Sequence, residues 1–242
     1  MRLANLLAVG ALISQVASAQ ALAMGTEVRF QISAPLSTLI SAPMEGVIST
    51  LSIQEGDTLD DGVIAVEFDC RLKDAQIAKA KAQLDAANAR HRSNLRLKEL
   101  GSVSDIQVAT SDAEKQMAQA DLRYLKVELS NCAVAAPFTG VVGEVVATAH
   151  SFAKLGDPLF RFYDLTNLRA TFIVPTLSLS GYTLGKEIQL YVEDLNRTVA
   201  AEVTAHAVEA DPLTQTTKVF ARLLGDAEGV FPGMSGSILE SQ

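Results

Sequence analysis

Hydrophobic and polar positions change rhythm along the chain, and each rhythm predicts a kind of element. From Ala42 to Asp69, and again from Ala136 to Asp164, short apolar alternations are punctuated by glycine and acidic turns, the pattern of β-strands. Between them, Arg71 to about Asn131 holds no proline and one glycine, Gly101. That stretch is dense in alanine and in long straight side chains, the strongest helix formers. Alternation returns at Leu168, Ala170, Phe172 and Val174, and strand-like runs follow at Glu187 to Val192, Thr198 to Ala205, Lys218 to Leu224 and Ser235 to Leu239. Polar turns such as Asp194-Leu195-Asn196, Asp211-Pro212 and Gly225-Asp226 separate them, which predicts a small β-barrel. Thr26 to Ile32 offers a strand to close it.

The two alternating stretches are copies of one another. Ala42-Pro43-Met44-Glu45-Gly46-Val47 matches Ala136-Pro137-Phe138-Thr139-Gly140-Val141 at a constant offset of 94 positions (Ala42 to Ala136), without a gap. The same offset pairs Gly62 with Gly156, Val66 with Phe160 and Phe68 with Phe162. Gly46 and Gly140 suit a turn or a close backbone approach. His150 stands where the first copy has Gly56, and histidine tolerates positive φ better than most residues. Two such halves predict one β domain built from both.

The interruption reads as two antiparallel helices. Ile106, Ala109, Ala113, Met117, Ala120, Tyr124, Val127 and Asn131 recur at alternating steps of three and four, a heptad seam expected to face the first helix. Gly101 suits the left-handed residue ending one helix, and Ser104 can cap the next. Folding the chain at Gly101 sets Ala75 opposite Val127, Ala78 opposite Tyr124 and Ala82 opposite Ala120. Each arm of roughly 28 residues would reach about 40 Å. One apolar face on an otherwise charged helix pair predicts a projecting spike.

The amino terminus changes the compartment. Arg2, the apolar run Leu3 to Val16 and Ala17-Ser18-Ala19 have the order of a cleavable export signal. The apolar run is shorter than the ~20 residues of a spanning helix. Export places Cys70 and Cys132 where disulfides persist. The fold-back brings these two cysteines together at the hairpin base, so a disulfide is expected there. Acidic residues outnumber basic ones 28 to 20, a net charge of −8, which argues against nucleic acid or anionic lipid as a partner.

Ala42-Pro43 to Asp69 and Ala136-Pro137 to Asp164 resemble the halves of a biotinyl/lipoyl-type β-sandwich. Such a domain split by a helical hairpin is similar to the periplasmic adaptor subunits, or membrane fusion proteins, of tripartite efflux and secretion systems. Asp211-Pro212-Leu213-Thr214-Gln215-Thr216-Thr217 and Phe231-Pro232-Gly233-Met234 resemble segments of that family's barrel. The resemblance implies a mainly β fold with an α-helical hairpin, divided as follows. Residues 1–19 are a signal peptide, 20–41 with 166–242 a β-barrel, 42–69 with 133–165 the lipoyl-like sandwich, and 70–132 the hairpin. It implies a homo-oligomer in the periplasm, joining an inner-membrane transporter of the RND or ABC type to an outer-membrane channel, with no cofactor. Flexing is expected where the chain crosses between domains, near Ser41-Ala42 and Asp164 to Asn167.

Family members that engage a channel often carry Arg, Leu four later and Ser seven after that, at the hairpin tip. Leu97 and Ser104 fit the Leu-to-Ser spacing, while the Arg position is Ser93, with Arg92 and Arg96 beside it. The tip contacts implied are Arg92, Arg96, Leu97, Leu100, Gly101 and Ser104. The family's membrane-proximal domain usually follows Pro-Gly-Met; the sequence reaches Gln242 within about a strand's length, so that domain is expected to be missing.

Two other classes compete. A biotinyl or lipoyl carrier needs a modifiable lysine in a tight turn between the halves, and the nearest here is Lys73, in the first turn of the insert. An enzyme needs converging groups, yet His91, His150 and His206 are scattered with no metal-ligand spacing, and no nucleophile elbow or phosphate loop occurs. A free-standing exported interaction protein that uses the hairpin for some other partner is the remaining alternative.

Overall fold

The computed structural model describes residues 27–225 and 228–239; the expected signal peptide, Thr26 and Asp226 lie outside them. Strands β1 (Arg29–Ser33) and β2 (Ser37–Ser41) precede the first copy of the repeat, β3 (Gly46–Leu51), β4 (Thr58–Leu59) and β5 (Ile64–Phe68). Helices α1 (Arg71–Glu99) and α2 (Asp105–Ser130) follow, then β6 (Ala133–Ala135) and the second copy, β7 (Gly140–Val145), β8 (Phe152–Ala153) and β9 (Pro158–Tyr163). The last strands are β10 (Arg169–Pro175), β11 (Glu187–Val192), β12 (Arg197–Asp211), β13 (Thr216–Leu223) and β14 (Ser235–Leu239). The fold is mainly β with an α-helical hairpin: a lipoyl-like sandwich assembled from both repeats, and a small barrel.

The sandwich has two four-stranded sheets, ordered β2-β9-β7-β4 and β6-β5-β3-β8, and each sheet mixes strands of the two copies. Alternation sends Ile48, Val66, Phe68, Val142, Phe160 and Phe162 into one core. The backbone bonds repeat as the sequence does. Gly56 N donates to Val142 O and His150 N to Ile48 O, both at 2.8 Å; Gly62 N donates to Ala136 O and Gly156 N to Ala42 O, both at 2.9 Å. Val142 N to Asp57 O and Ile48 N to Ser151 O form a third such pair. Every one of these bonds crosses from one copy to the other, so neither half satisfies its own backbone alone. His150 keeps the turn of Gly56 by adopting φ +65°, against +90° at the glycine.

The repeat's two leading glycines look alike in sequence but differ in what surrounds them. A Cβ on Gly140 would lie 2.5 Å from the Tyr163 carbonyl oxygen, whereas one on Gly46 meets nothing nearer than 3.5 Å, the Phe68 ring. Gly140→Ala is therefore expected to destabilise by about 2 kcal/mol, and Gly46→Ala by under ~1 kcal/mol. Urea unfolding followed by circular dichroism checks this, and equal losses would contradict it.

The barrel closes in the order β1-β10-β13-β12-β11-β14. Leu168, Ala170, Phe172 and Val174 all face its core, with Leu190, Val203, Val219 and Ala221 from other staves. The closing strand is Arg29–Ser33, paired with β10 and β14. β12 runs past Ala205 to Asp211 because irregularities between Val203 and Ala205 and between His206 and Ala210 bend it without ending the ladder with β13.

One boundary differs from the sequence expectation. Ser37 to Ser41 is not barrel: β2 pairs with β9 in the sandwich, so the first crossing between domains falls at Ala34 to Leu36 rather than at Ser41-Ala42. The second crossing is fastened by Asp164. Its burial alone would raise its pKa, but bonds from the Thr166 hydroxyl and amide and from Asn167 outweigh that and hold it below the usual carboxylate range.

Candidate partner-binding surface on the hairpin

Both helices are ended by local chemistry. Leu100 closes α1, and Gly101 follows at φ +70°. Gly101 N bonds to Lys98 O and Ser102 N to Leu97 O, the paired bonds of a Schellman motif. Ser104 then opens α2, its side chain accepting from Gln107 N. Gly101 and Ser104 thus have structural work at the tip in their own right. Arg92, Arg96, Leu97, Leu100, Gly101 and Ser104 all lie exposed around this turn, Leu100 being the more exposed of the two leucines at 76%.

At the base, Cys70 and Cys132 form a disulfide with their Cα atoms 6.2 Å apart. One turn further out, Lys73 Nζ meets Glu128 Oε2 at 2.6 Å and Tyr124 Oη donates to Glu128 Oε1 at 2.8 Å. Lys73, and after it Tyr124, hold the Glu128 carboxyl below its ordinary range. Lys73 is thus the partner of Glu128 on a helix, which differs from the turn-borne lysine that a carrier modifies.

The helices pair in the expected register but through other faces. Val108, Ser111, Lys115, Ala118, Leu122, Leu125 and Leu129 of α2 are buried or half-buried, as are Lys73, Ile77, Ala80, Leu84, Ala87, His91 and Asn94 of α1. These two heptad rows form the seam. The row expected to form it lies outside: Ile106 is 78% exposed, Met117 68%, Tyr124 64% and Val127 66%. Ala75, Ala78 and Ala82, expected opposite it, are exposed as well. Three leucines at heptad spacing outcompete Tyr124 and Met117 for the interior, because long aliphatic side chains fill facing holes. α2 therefore carries two apolar rows, and the chain uses one of them.

Ion pairs and hydrogen bonds along the edges confirm the alignment: Arg90 with Glu114 at 2.7 Å, Lys98 with Asp105 at 2.6 Å, and Asn94 Nδ2 to Gln107 O at 3.5 Å. Midway, His91 Nδ1 lies 3.1 Å from Ser111 Oγ and Nε2 3.5 Å from Asp112 Oδ1. Serine, histidine and aspartate in contact suggest a hydrolytic triad. The arrangement is unsuited to it, since Ser111 is 2% exposed and its hydroxyl donates to the Val108 carbonyl. Among the described residues no group of three or more His, Cys, Asp or Glu could hold a metal ion, and no helix is long and apolar enough to cross a membrane. A cavity of about 670 Å³ opens at the barrel end between Val28, Ile173, Tyr182, Lys186, Glu187 and Leu239, without a converging set of reactive groups.

No family model matches the sequence. Nodulation protein NolF of Rhizobium meliloti is 27% identical over 212 residues, 81% of this chain and 57% of that protein. The probable efflux pump periplasmic linker protein SepA of Pseudomonas putida is 27% identical over 57% of this chain and 36% of its own length. The chain spans between 36% and 57% of the curated relatives it matches. The solved membrane fusion protein Spr0693 of Streptococcus pneumoniae superposes with a TM-score of 0.73 at 15% identity, over 88% of this chain and 98% of that one. With its lipoyl-like sandwich split by a hairpin and its adjoining barrel, the chain is a relative of the periplasmic adaptor, or membrane fusion, proteins.

Proposed function

We propose that the chain is a periplasmic adaptor whose hairpin makes its functional contacts, with copies of the chain on its flanks and an outer-membrane channel at its tip. The observation that carries this is the pair of unused rows on the hairpin. The back of α1 is small and smooth, with Ala75, Ala78, Ala82 and Ala89, and the back of α2 bears Ile106, Met117, Tyr124 and Val127. The rows face away from each other and match in height. Two hairpins side by side, pointing the same way, set α2 of one antiparallel to α1 of the next, with Tyr124 level with Ala78 and Ala120 level with Ala82. Large side chains then meet small ones, as close interdigitation requires. Such a contact is heterologous, and it repeats into a ring when the rotation closes.

Sandwich and barrel form the base beside an inner-membrane transporter of the RND or ABC type, by likeness to the adaptor family. Arg92, Arg96, Leu97 and Leu100 face the channel. The work is mechanical rather than enzymatic, and export follows cleavage of residues 1–19.

Photo-crosslinkers at Tyr124 and at Leu100, in intact cells, test the two contacts. The Tyr124 probe is expected to give a ladder of this chain, lost in an Ala82→Arg variant, and the Leu100 probe to capture an outer-membrane channel. A Tyr124 probe that never captures this chain would contradict side-by-side packing. A Leu100 product of some other class would favour an exported interaction protein that uses the hairpin elsewhere.

A further inference from the structure

The chain has five methionines and two cysteines, and three of these sulfurs meet at one corner of the sandwich. Met44 Sδ lies 3.9 Å from Cys70 Sγ, and Cys70 is bridged to Cys132. Cys132 is buried, Met44 and Cys70 are half-buried, and the latter two pack against the edge of the sandwich core. The repeat shows that the fold does not ask for sulfur at this corner. Strand β2 meets β9 as β6 meets β5, Leu39 opposite Arg161 and Ala133 opposite Glu67. At the same offset Met44, Cys70 and Cys132 correspond to Phe138, Asp164 and Thr38, a corner without sulfur. Cys70 also stands at the N-cap of α1, where its side chain makes no capping bond. A thiolate in that place gains from the first-turn amides and the helix dipole, so the reduced Cys70 ionises readily. The neighbouring Asp69 carboxylate is already paired with Arg71, at 2.7 Å.

We propose that the hairpin base of the reduced chain is a soft-metal site, in which Cys70, Cys132 and Met44 hold one Cu(I) or Ag(I) ion. Thiolate and thioether donors select such ions over harder ones. The bridge opens when a dithiol gives it two electrons and two protons; the dithiol becomes a disulfide, and Cys70 and Cys132 become thiols. Binding then releases both protons to solvent, and the metal keeps its oxidation state. A metal–sulfur bond of about 2.3 Å sets the sulfurs of a three-coordinate site about 4 Å apart. The Met44–Cys70 spacing of 3.9 Å already meets that requirement. With Cα atoms 6.2 Å apart, the two cysteines reach the same spacing by side-chain rotation, without movement of the strands. The ion closes the junction that the bridge closes, so the hairpin stays clasped when the bridge is open. The clip is a property of the chain itself and does not rest on the adaptor reading.

Titration with Cu(I) tests it. The full chain is reduced with a dithiol, freed of it without oxygen, and titrated against a coloured Cu(I) chelator. One ion per chain is expected to bind, and the Tm lost on reduction should return. Met44→Leu, which keeps both cysteines, should weaken binding at least about tenfold, the lower end of what even an outer partner of a metal ligand costs. The oxidised chain and the Cys70→Ser/Cys132→Ser variant set the level of adventitious uptake. Uptake by reduced wild type no greater than that level overturns the proposal. Equal affinity in Met44→Leu overturns it too, since the site is then no more than a pair of thiols. Binding that leaves the Tm at its reduced value overturns the clasp.

Discussion

Replacing Cys70 and Cys132 together by serine is expected to lower the unfolding free energy by about 4 kcal/mol. The bridge joins positions 62 apart, and its main effect in the loop-entropy account is to restrict the unfolded chain, by an amount that grows slowly with the span closed. It sits where the span matters most. The two sandwich copies flank it directly, β5 ending at Phe68 and β6 starting at Ala133, so without it the halves find each other only across the whole insert. For a chain of this size the loss corresponds to a fall in Tm of roughly 8–16 °C. Thermal and urea unfolding of the variant, and of wild type with reductant, should agree. A loss under ~1 kcal/mol would show that the folded hairpin alone holds the halves together.

Phe162→Ala is expected to cost about 4 kcal/mol. The ring is fully buried, lies edge-on to Phe160 at 6.1 Å between centroids and is tilted against Phe138 at 5.0 Å. Its strand, β9, is central, paired with β2 on one side and β7 on the other. Removing the ring leaves a cavity that neighbouring strands, tied by reciprocal backbone bonds, cannot close. The protein has no tryptophan, so far-ultraviolet circular dichroism in urea is the practical readout. Phe162→Leu should recover part of the loss, and a cost below ~2 kcal/mol would mean the sandwich relaxes around the gap.

The fold was legible where the information is local. The offset between the copies marked one β domain built from both, and Gly101 and Ser104 marked the ends of two helices, because caps and turns depend on their own residues. The seam was not, for a physical reason. Periodicity identifies a row of apolar positions on a helix but not what covers it, and α2 has two rows. Tyr124 and Met117 drew attention to the wrong one, while Ser111 and Lys115 broke the apolar character of the right one. β2 escaped for another reason: Ser37-Thr38-Leu39-Ile40-Ser41 is a half-exposed edge strand with few apolar residues to signal it. The outer apolar row of α2 was consequently visible as residues and misplaced as the seam, and the layer at His91 carried no sequence signal beyond a polar residue at a heptad position.

The reciprocal bonds between the two copies have an evolutionary consequence. Because all of them lie below Cys70 and Cys132, the sandwich demands of its insert only that it begin and end 6.2 Å apart. Nothing in the handle measures how far the spike reaches. Adding or deleting seven residues in each arm preserves heptad register and changes the reach by roughly 10 Å. Sandwich and barrel can thus stay constant while the insert is lengthened, shortened or replaced wholesale. The split domain is a socket, and the hairpin is the exchangeable tool.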